Sequence, residues 1–169
     1  MSTEELAGYV CKALADVGIT VTLTGGACVA IWSEGRYVSS DLDFIEEGPV
    51  PRHRVRAVMK SLGFKERNRY FTHPETSFFV EFPTGPLAVG GERITTFVER
   101  ETGTGLLRLL GPTDCVKDRL AAYFHWNDQQ SLEQSLMVAR AQPVDLAEVL
   151  RWARAEGMEE KFTKFSDRL

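Results

Sequence analysis

Cysteine is scarce in this chain. Its three residues, Cys11, Cys28 and Cys115, are odd in number and show no Cys-x-x-Cys spacing. That excludes a disulfide framework and a zinc knuckle, and a reducing cytoplasm is the expected compartment. No apolar run approaches the roughly 20 residues that span a bilayer, so no membrane is expected among the partners. The opening Met1-Ser2-Thr3-Glu4-Glu5 is acidic and polar, and no secretory leader is expected there. His53, His73 and His125 are far apart and form no metal-ligand pattern such as His-Glu-x-x-His. Positive charge is not in excess either. The net charge is −4, so the body as a whole is not built to wrap long nucleic acid. Internal repeats and low-complexity segments are absent.

What the chain does have is core. Hydrophobic residues make up 43% of 169, enough for one sizeable core. Leu6, Val10, Leu14 and Val17 recur at helical spacing over 3–17, and Gly18 supplies a stop. Ile19 to Leu23 reads as a short buried strand. Gly25-Gly26 then turns the chain into a helix over 27–33, and Asp41 to Ile45 reads as a second strand. Pro51 opens a helix that Gly63 closes. Strands are expected at 64–71, 77–82, 93–99 and 106–110, divided by proline and glycine. Pro112-Thr113 begins an all-helical tail with helices near 113–126, 128–141, 145–156 and 158–166. The fold class expected is α+β, with a mixed twisted sheet in an α/β-like core over 1–111 and a helical appendage over 112–169.

Three carboxylates stand out. Side chains alternate along a strand, so Asp41 and Asp43 point the same way, with Cα atoms about 7 Å apart, while Leu42 and Phe44 point into the core. The same alternation sets Glu81 apart from Phe78, Val80 and Phe82. If the two strands are neighbours, all three acids converge. Two like charges about 4 Å apart repel by about 4 kcal/mol at an effective dielectric near ~20. Either one acid is protonated with a raised pKa, or a divalent cation sits between them. Oxygen-only donors favour Mg²⁺ or Mn²⁺ over zinc. The glycine pair, between a strand and a helix, lets backbone N–H groups approach a phosphate closely. Downstream, Arg52, Arg54, Arg56, Lys60, Lys65, Arg67 and Arg69 stand against a single acid, Glu66. That run reads either as a flank for a polyanionic substrate or as a solvated helix face.

The segments Leu23-Thr24-Gly25-Gly26-Ala27-Cys28-Val29-Ala30-Ile31, Ser39-Ser40-Asp41-Leu42-Asp43-Phe44-Ile45 and Phe79-Val80-Glu81-Phe82 together resemble the nucleotidyltransferase fold of the DNA polymerase beta superfamily. Its minimal nucleotidyltransferases and abortive-infection type toxins look most similar. The resemblance implies that Gly25 and Gly26, with Ser39 beside them, hold nucleotide phosphates. It implies that Asp41 and Asp43 bind two Mg²⁺ ions and that Glu81 completes the metal site and helps activate an acceptor hydroxyl. The tail from Gly111 to Gln134 is similar to the helical segment of the toxin branch, in which Lys117 and Asp128 would face the nucleotide. For Lys117 the other reading is a surface lysine paired with Asp114 or Asp118.

The remaining conspicuous residues read as structural. Cys28 has no histidine partner and reads as a small buried side chain. Trp32, Trp126 and Trp152 lie on apolar helical stripes and are expected in the core. The function implied is transfer of a nucleoside monophosphate from an NTP to a hydroxyl of RNA, such as tRNA, or of a protein, in a toxin–antitoxin or defence setting. Two alternatives stay open: a silent nucleotide- or RNA-binding module of the same fold, and an antitoxin-like protein whose tail docks a partner.

Overall fold

The computed structural model describes residues 1–169. Helix α1 (Thr3–Ala15) begins with a reciprocal cap: the Ser2 hydroxyl accepts the Glu5 N–H, and the Glu5 carboxylate accepts the Ser2 N–H. Two donors that a helix start leaves free are thereby satisfied. The β-branched run that follows forms β1 (Val21–Thr24), buried at every position. Helix α2 (Gly25–Trp32) follows with no intervening loop, and β2 (Asp41–Glu46) returns antiparallel to β1. Next come α3 (Arg52–Ser61), β3 (Lys65–Arg67), β4 (Tyr70–Thr72) and β5 (Phe79–Glu81). A small hairpin, β6 (Ala88–Val89) and β7 (Glu92–Arg93), precedes β8 (Val98–Thr102) and β9 (Gly105–Leu109). Four helices close the chain: α4 (Pro112–Trp126), α5 (Gln129–Ala141), α6 (Leu146–Ala155) and α7 (Glu159–Ser166).

Two expected strands are divided in the structure. Asn68 takes a left-handed conformation (φ 58°), which folds 64–71 into the β3–β4 turn rather than one straight strand. Asparagine tolerates that region better than most residues. The expected strand at 93–99 splits as well, because Arg93 pairs with β6 whereas Val98 and Glu99 pair with β9.

Seven strands form one mixed sheet in the order β3-β4-β5-β2-β1-β9-β8. The β2–β5 and β1–β9 pairs are parallel, and the other pairs are antiparallel. One face is apolar and carries Val21, Leu23, Leu42, Phe44, Val80, Phe82, Leu107 and Leu109, all buried. On that face Phe82 stacks on Phe44 and meets Phe71 edge-on, with ring centroids 5.9 and 5.7 Å apart. The opposite face carries Asp41, Asp43 and Glu81.

The helical tail is not a separate body. One cluster of 37 buried apolar residues runs from Leu6 on α1 to Phe165 on α7. The Trp32 indole N–H donates to the Leu110 carbonyl (2.8 Å), and the Gln142 amide donates to the Trp32 carbonyl (3.0 Å), tying α5 to α2. The Trp152 indole donates to Val89 (3.2 Å) and its ring stacks on Phe124. Trp126, expected in the core, is 83% exposed. It lies two residues beyond the buried Phe124, roughly 200° around the helix, and α4 ends at Asn127 in a left-handed turn. No helix is long and apolar enough to cross a membrane.

Candidate active site

Strand register decides whether the three acids meet. Asp43 is the direct partner of Glu81, and Asp41 the partner of Phe79. Direct partners share a face, and so do residues two apart on one strand. Asp41, Asp43 and Glu81 therefore rise from the same face on adjacent strands. Thr24 is the β1 partner of Asp43, and its hydroxyl donates to the Asp43 carbonyl (3.2 Å).

The glycine pair is built against this cluster. Gly25 has φ +65°, and a Cβ placed on it would stand 2.7 Å from Asp43 Oδ2. Any other residue would meet both a disfavoured backbone conformation and the carboxylate itself. A Cβ on Gly26 would lie 3.0 Å from Ser39 Oγ. Ser39 in turn accepts the Asp41 N–H (3.2 Å) and donates to the Asp41 carbonyl (3.0 Å), so its hydroxyl fixes the start of β2. Thr24 is the N-cap of α2 but makes no side-chain cap hydrogen bond. The first N–H groups of the helix thus have no side-chain acceptor, beside the carboxylates.

Electrostatically the site is an excess of negative charge. Burial pushes the Asp43 carboxyl up to about 6, and the Glu81 and Asp41 charges push the same way. The Glu81 carboxylate is engaged from outside by Arg69, with Nε 3.0 Å from Oε1. Arg69 also donates to the Tyr70 hydroxyl (2.8 Å), and its guanidinium lies 5.0 Å from the centre of that ring. Tyr70 is the β4 partner of Glu81 and meets the exposed Phe79 edge-on, giving the acidic face an aromatic border. As the side chains stand, no group of three or more His, Cys, Asp and Glu residues is set to enclose a metal ion. The three carboxylates are oxygen donors of the kind that suits Mg²⁺ and share a face, and one Glu81 oxygen is engaged by Arg69.

The tail contributes two residues that helical phase hides from the sequence. Arg119 and Asp118 on α4 act on the charge of Asp43, the first lowering its pKa and the second raising it. Arg119 donates to Asp118 (2.6 Å) and reaches toward Gln134 of α5 (3.5 Å). Lys117, one residue before Asp118, points about 100° away from it. Its stem is buried, but its amine is held by Glu148 (2.7 Å) with Asp114 at 3.8 Å. Arg151 joins the same group, binding Glu148 (2.7 Å) and Glu92 (2.7 Å). Hydrogen bonds from Arg151 and then Lys117 lower the Glu148 carboxyl to about 2. Asp128 caps α5, its carboxylate accepting the Ser131 N–H (3.1 Å). The structure thus brings together Gly25, Gly26, Ser39, Asp41, Asp43 and Glu81, and commits Lys117 and Asp128 to contacts within the tail.

The basic run divides likewise. Arg52 and Arg56 both bind Glu66, Arg54 donates to the Val17 carbonyl, and Arg69 alone reaches the carboxylates. Cys28 is fully buried, its thiol donates to the Leu23 carbonyl (3.0 Å), and burial pushes its pKa well above the ordinary range. It is no nucleophile.

No protein-family model matches the chain, and no curated protein sequence does. Solved structures do. An antigenic nucleotidyltransferase-like protein from Paracoccidioides brasiliensis superposes with a TM-score of 0.65, covering 98% of this chain and 91% of its own, at 13% identity. The antibiotic-resistance factor ANT(2'')-Ia superposes with a TM-score of 0.53, covering 94% and 92%, at 14% identity. With its glycine pair and both aspartates at the mouth of a mixed sheet, the chain has the nucleotidyltransferase fold.

Proposed function

We propose that this chain is a metal-dependent nucleotidyltransferase that moves a nucleoside monophosphate from an NTP to a hydroxyl acceptor. The observation that carries the reading is the register pairing Asp43 with Glu81, which sets both beside Asp41 on the face that Gly25 borders. Asp41, Asp43 and Glu81 would hold two Mg²⁺ or Mn²⁺ ions. Such ions, when bound, lower the pKa of an attacking hydroxyl and neutralise a departing pyrophosphate. The rest belongs to the chain. Gly25 and Gly26 let the start of α2 pack against Asp43 and Ser39, and the α2 N–H groups donate to phosphate oxygens beside the carboxylates. Glu81 accepts the proton of the acceptor hydroxyl as that oxygen bonds to the α-phosphorus and the bond to pyrophosphate breaks. Positioning and charge neutralisation supply most of the rate. RNA, such as tRNA, or a protein side chain is the acceptor class, in a toxin- or defence-like role.

One observation favours a second reading. Arg69 occupies Glu81, as it would in a module that binds nucleotide without transferring it. The two readings separate in one experiment. Mg²⁺ with an NTP should raise the melting temperature, and pyrophosphate should appear once total cell RNA is added. Asp41→Asn combined with Asp43→Asn should abolish both responses. An unchanged thermal response in that variant removes the metal site; binding without pyrophosphate, for RNA, protein and small-molecule acceptors alike, leaves only the binding module.

A further inference from the structure

Strands β2 and β5 are parallel, so they run out at the same end of the sheet. There the chain opens a cleft of about 660 Å³, a volume that suits a nucleotide-sized group. Three guanidinium groups from three different elements line it: Arg52 at the start of α3, Arg69 from the β3–β4 turn and Arg93 on β7. A single carboxylate, Glu46, faces them, and Phe82 and Val50 supply an apolar floor.

The arginines are not equivalent. Arg52 is held in place, bonded to Glu66 (3.2 Å) and lying 5.0 and 5.8 Å from the ring centres of Phe71 and Phe82. Arg69 both lines the cleft and touches Glu81, so the cleft begins one side chain away from the third carboxylate. Arg93 is exposed and takes part in no ion pair or side-chain hydrogen bond of this chain. Guanidinium groups gathered around a concave surface with one carboxylate among them attract an anion. Their planar donor forks match the paired oxygens of a phosphate.

Position decides which phosphate. Gly25 and the start of α2 lie against Asp43 on its β1 side. The cleft lies at the other end of the strands, past Glu46 of β2 and Phe82 after β5, and Arg69 links it to Glu81. The Asp43–Glu81 pair stands between the two. In-line transfer needs the leaving pyrophosphate and the attacking hydroxyl on opposite sides of the reacting phosphorus. On the transferase reading above, on which this inference rests, the NTP phosphates belong with the glycines, and the cleft is left to the acceptor. We infer that the Arg52–Arg69–Arg93 cleft binds a phosphodiester of the acceptor strand, next to the hydroxyl that is modified. A small cationic acceptor would be repelled there.

The test uses the full chain, a short single-stranded RNA with a free 3′-hydroxyl, and Mg-ATP. Arg93→Glu should weaken RNA binding about 10-fold at low salt, and Arg93→Gln about 3-fold. Arg93→Gln should also flatten the dependence of log affinity on log salt by roughly 0.7, the loss of one phosphate contact on a single strand. The thermal shift with Mg-ATP should not change in either variant. Lys164→Glu, the same charge reversal on α7, should leave RNA affinity as it was. Equal RNA affinity in wild type and Arg93→Glu, no RNA binding by wild type at low salt, or an equal loss in Lys164→Glu overturns the cleft. Loss of the Mg-ATP shift with RNA affinity intact assigns the arginines to the NTP and overturns the acceptor assignment. Failure of the transferase reading looks different: RNA binds with the stated Arg93 dependence, which supports the cleft, while no pyrophosphate is released.

Discussion

Two clusters of charged side chains lie in this chain, and they are built in opposite ways. Where the helical tail meets β7, Lys117, Glu148, Arg151 and Glu92 alternate in sign, each within hydrogen-bond distance of the next. The result is a carboxyl at Glu148 lowered to about 2. On the sheet, Asp41, Asp43 and Glu81 share one sign and one face, and the result is a carboxyl at Asp43 raised to about 6. Paired charge of the first kind holds helices in place. Like charge of the second kind destabilises the fold that carries it, and it persists where a ligand supplies the missing positive charge.

The comparison can be broken most decisively at the sheet. Asp41→Asn with Asp43→Asn should take pyrophosphate release below detection, a fall of at least about 10³-fold, beyond the scale for removing one group that organises transition-state charge. The same change should raise the metal-free melting temperature at pH 8. A fall in both quantities would show that the acids stabilise the fold, as the tail cluster does. Lys117→Ala strips the tail cluster of its buried cation and should cost about 3 kcal/mol in urea unfolding, with Lys117→Met costing less. If Lys117→Met instead left stability alone and removed the NTP thermal shift, its amine would belong to the nucleotide.

pH should sharpen the contrast, because the two carboxyl pKa values are shifted in opposite directions. Asp43 has a folded pKa above its unfolded one, so its favourable contribution is full below about pH 4 and is lost as pH rises through about 6. In metal-free protein, the stability gained by Asp43→Asn should grow by about 1–2 kcal/mol between pH 4.5 and 7.5. Glu148 has a lowered folded pKa. Its contribution is present above the unfolded value near 4.5 and is lost as pH falls toward 2. The smallest effect is expected at Arg69, whose side chain is largely exposed. Arg69→Gln should change stability by less than about 0.5 kcal/mol. By releasing Glu81 it should tighten Mg²⁺ binding several-fold, read by calorimetry. Weaker binding would make Arg69 part of the site rather than a stand-in for its cation.

Much of the site is legible in the chain because it is local. The Gly25-Gly26 turn, the Asp41-x-Asp43 spacing and the isolation of Glu81 among apolar residues follow from backbone geometry and a two-residue period. The same holds for the tail helices, whose stripes and caps are written within a turn or two of each other. What the chain leaves open is the rotation of a helix about its axis when its neighbours are unknown. Lys117 and Asp118 differ by one residue, yet one lies against Glu148 and the other acts on Asp43. Trp126 looks like a core residue until α4 is seen to end there with nothing packed against it.

The sequence by itself determined where the helices and the two central strands form, which strand residues share a face, and that a glycine pair adjoins an acidic strand, because these depend on short-range sterics and periodicity. Only the tertiary structure decided that β5 lies next to β2 in parallel register, that Arg69 meets Glu81, and that Arg93 comes around to the same cleft. Those juxtapositions join residues tens of positions apart. They are selected by burial of one shared apolar core, which no single segment encodes.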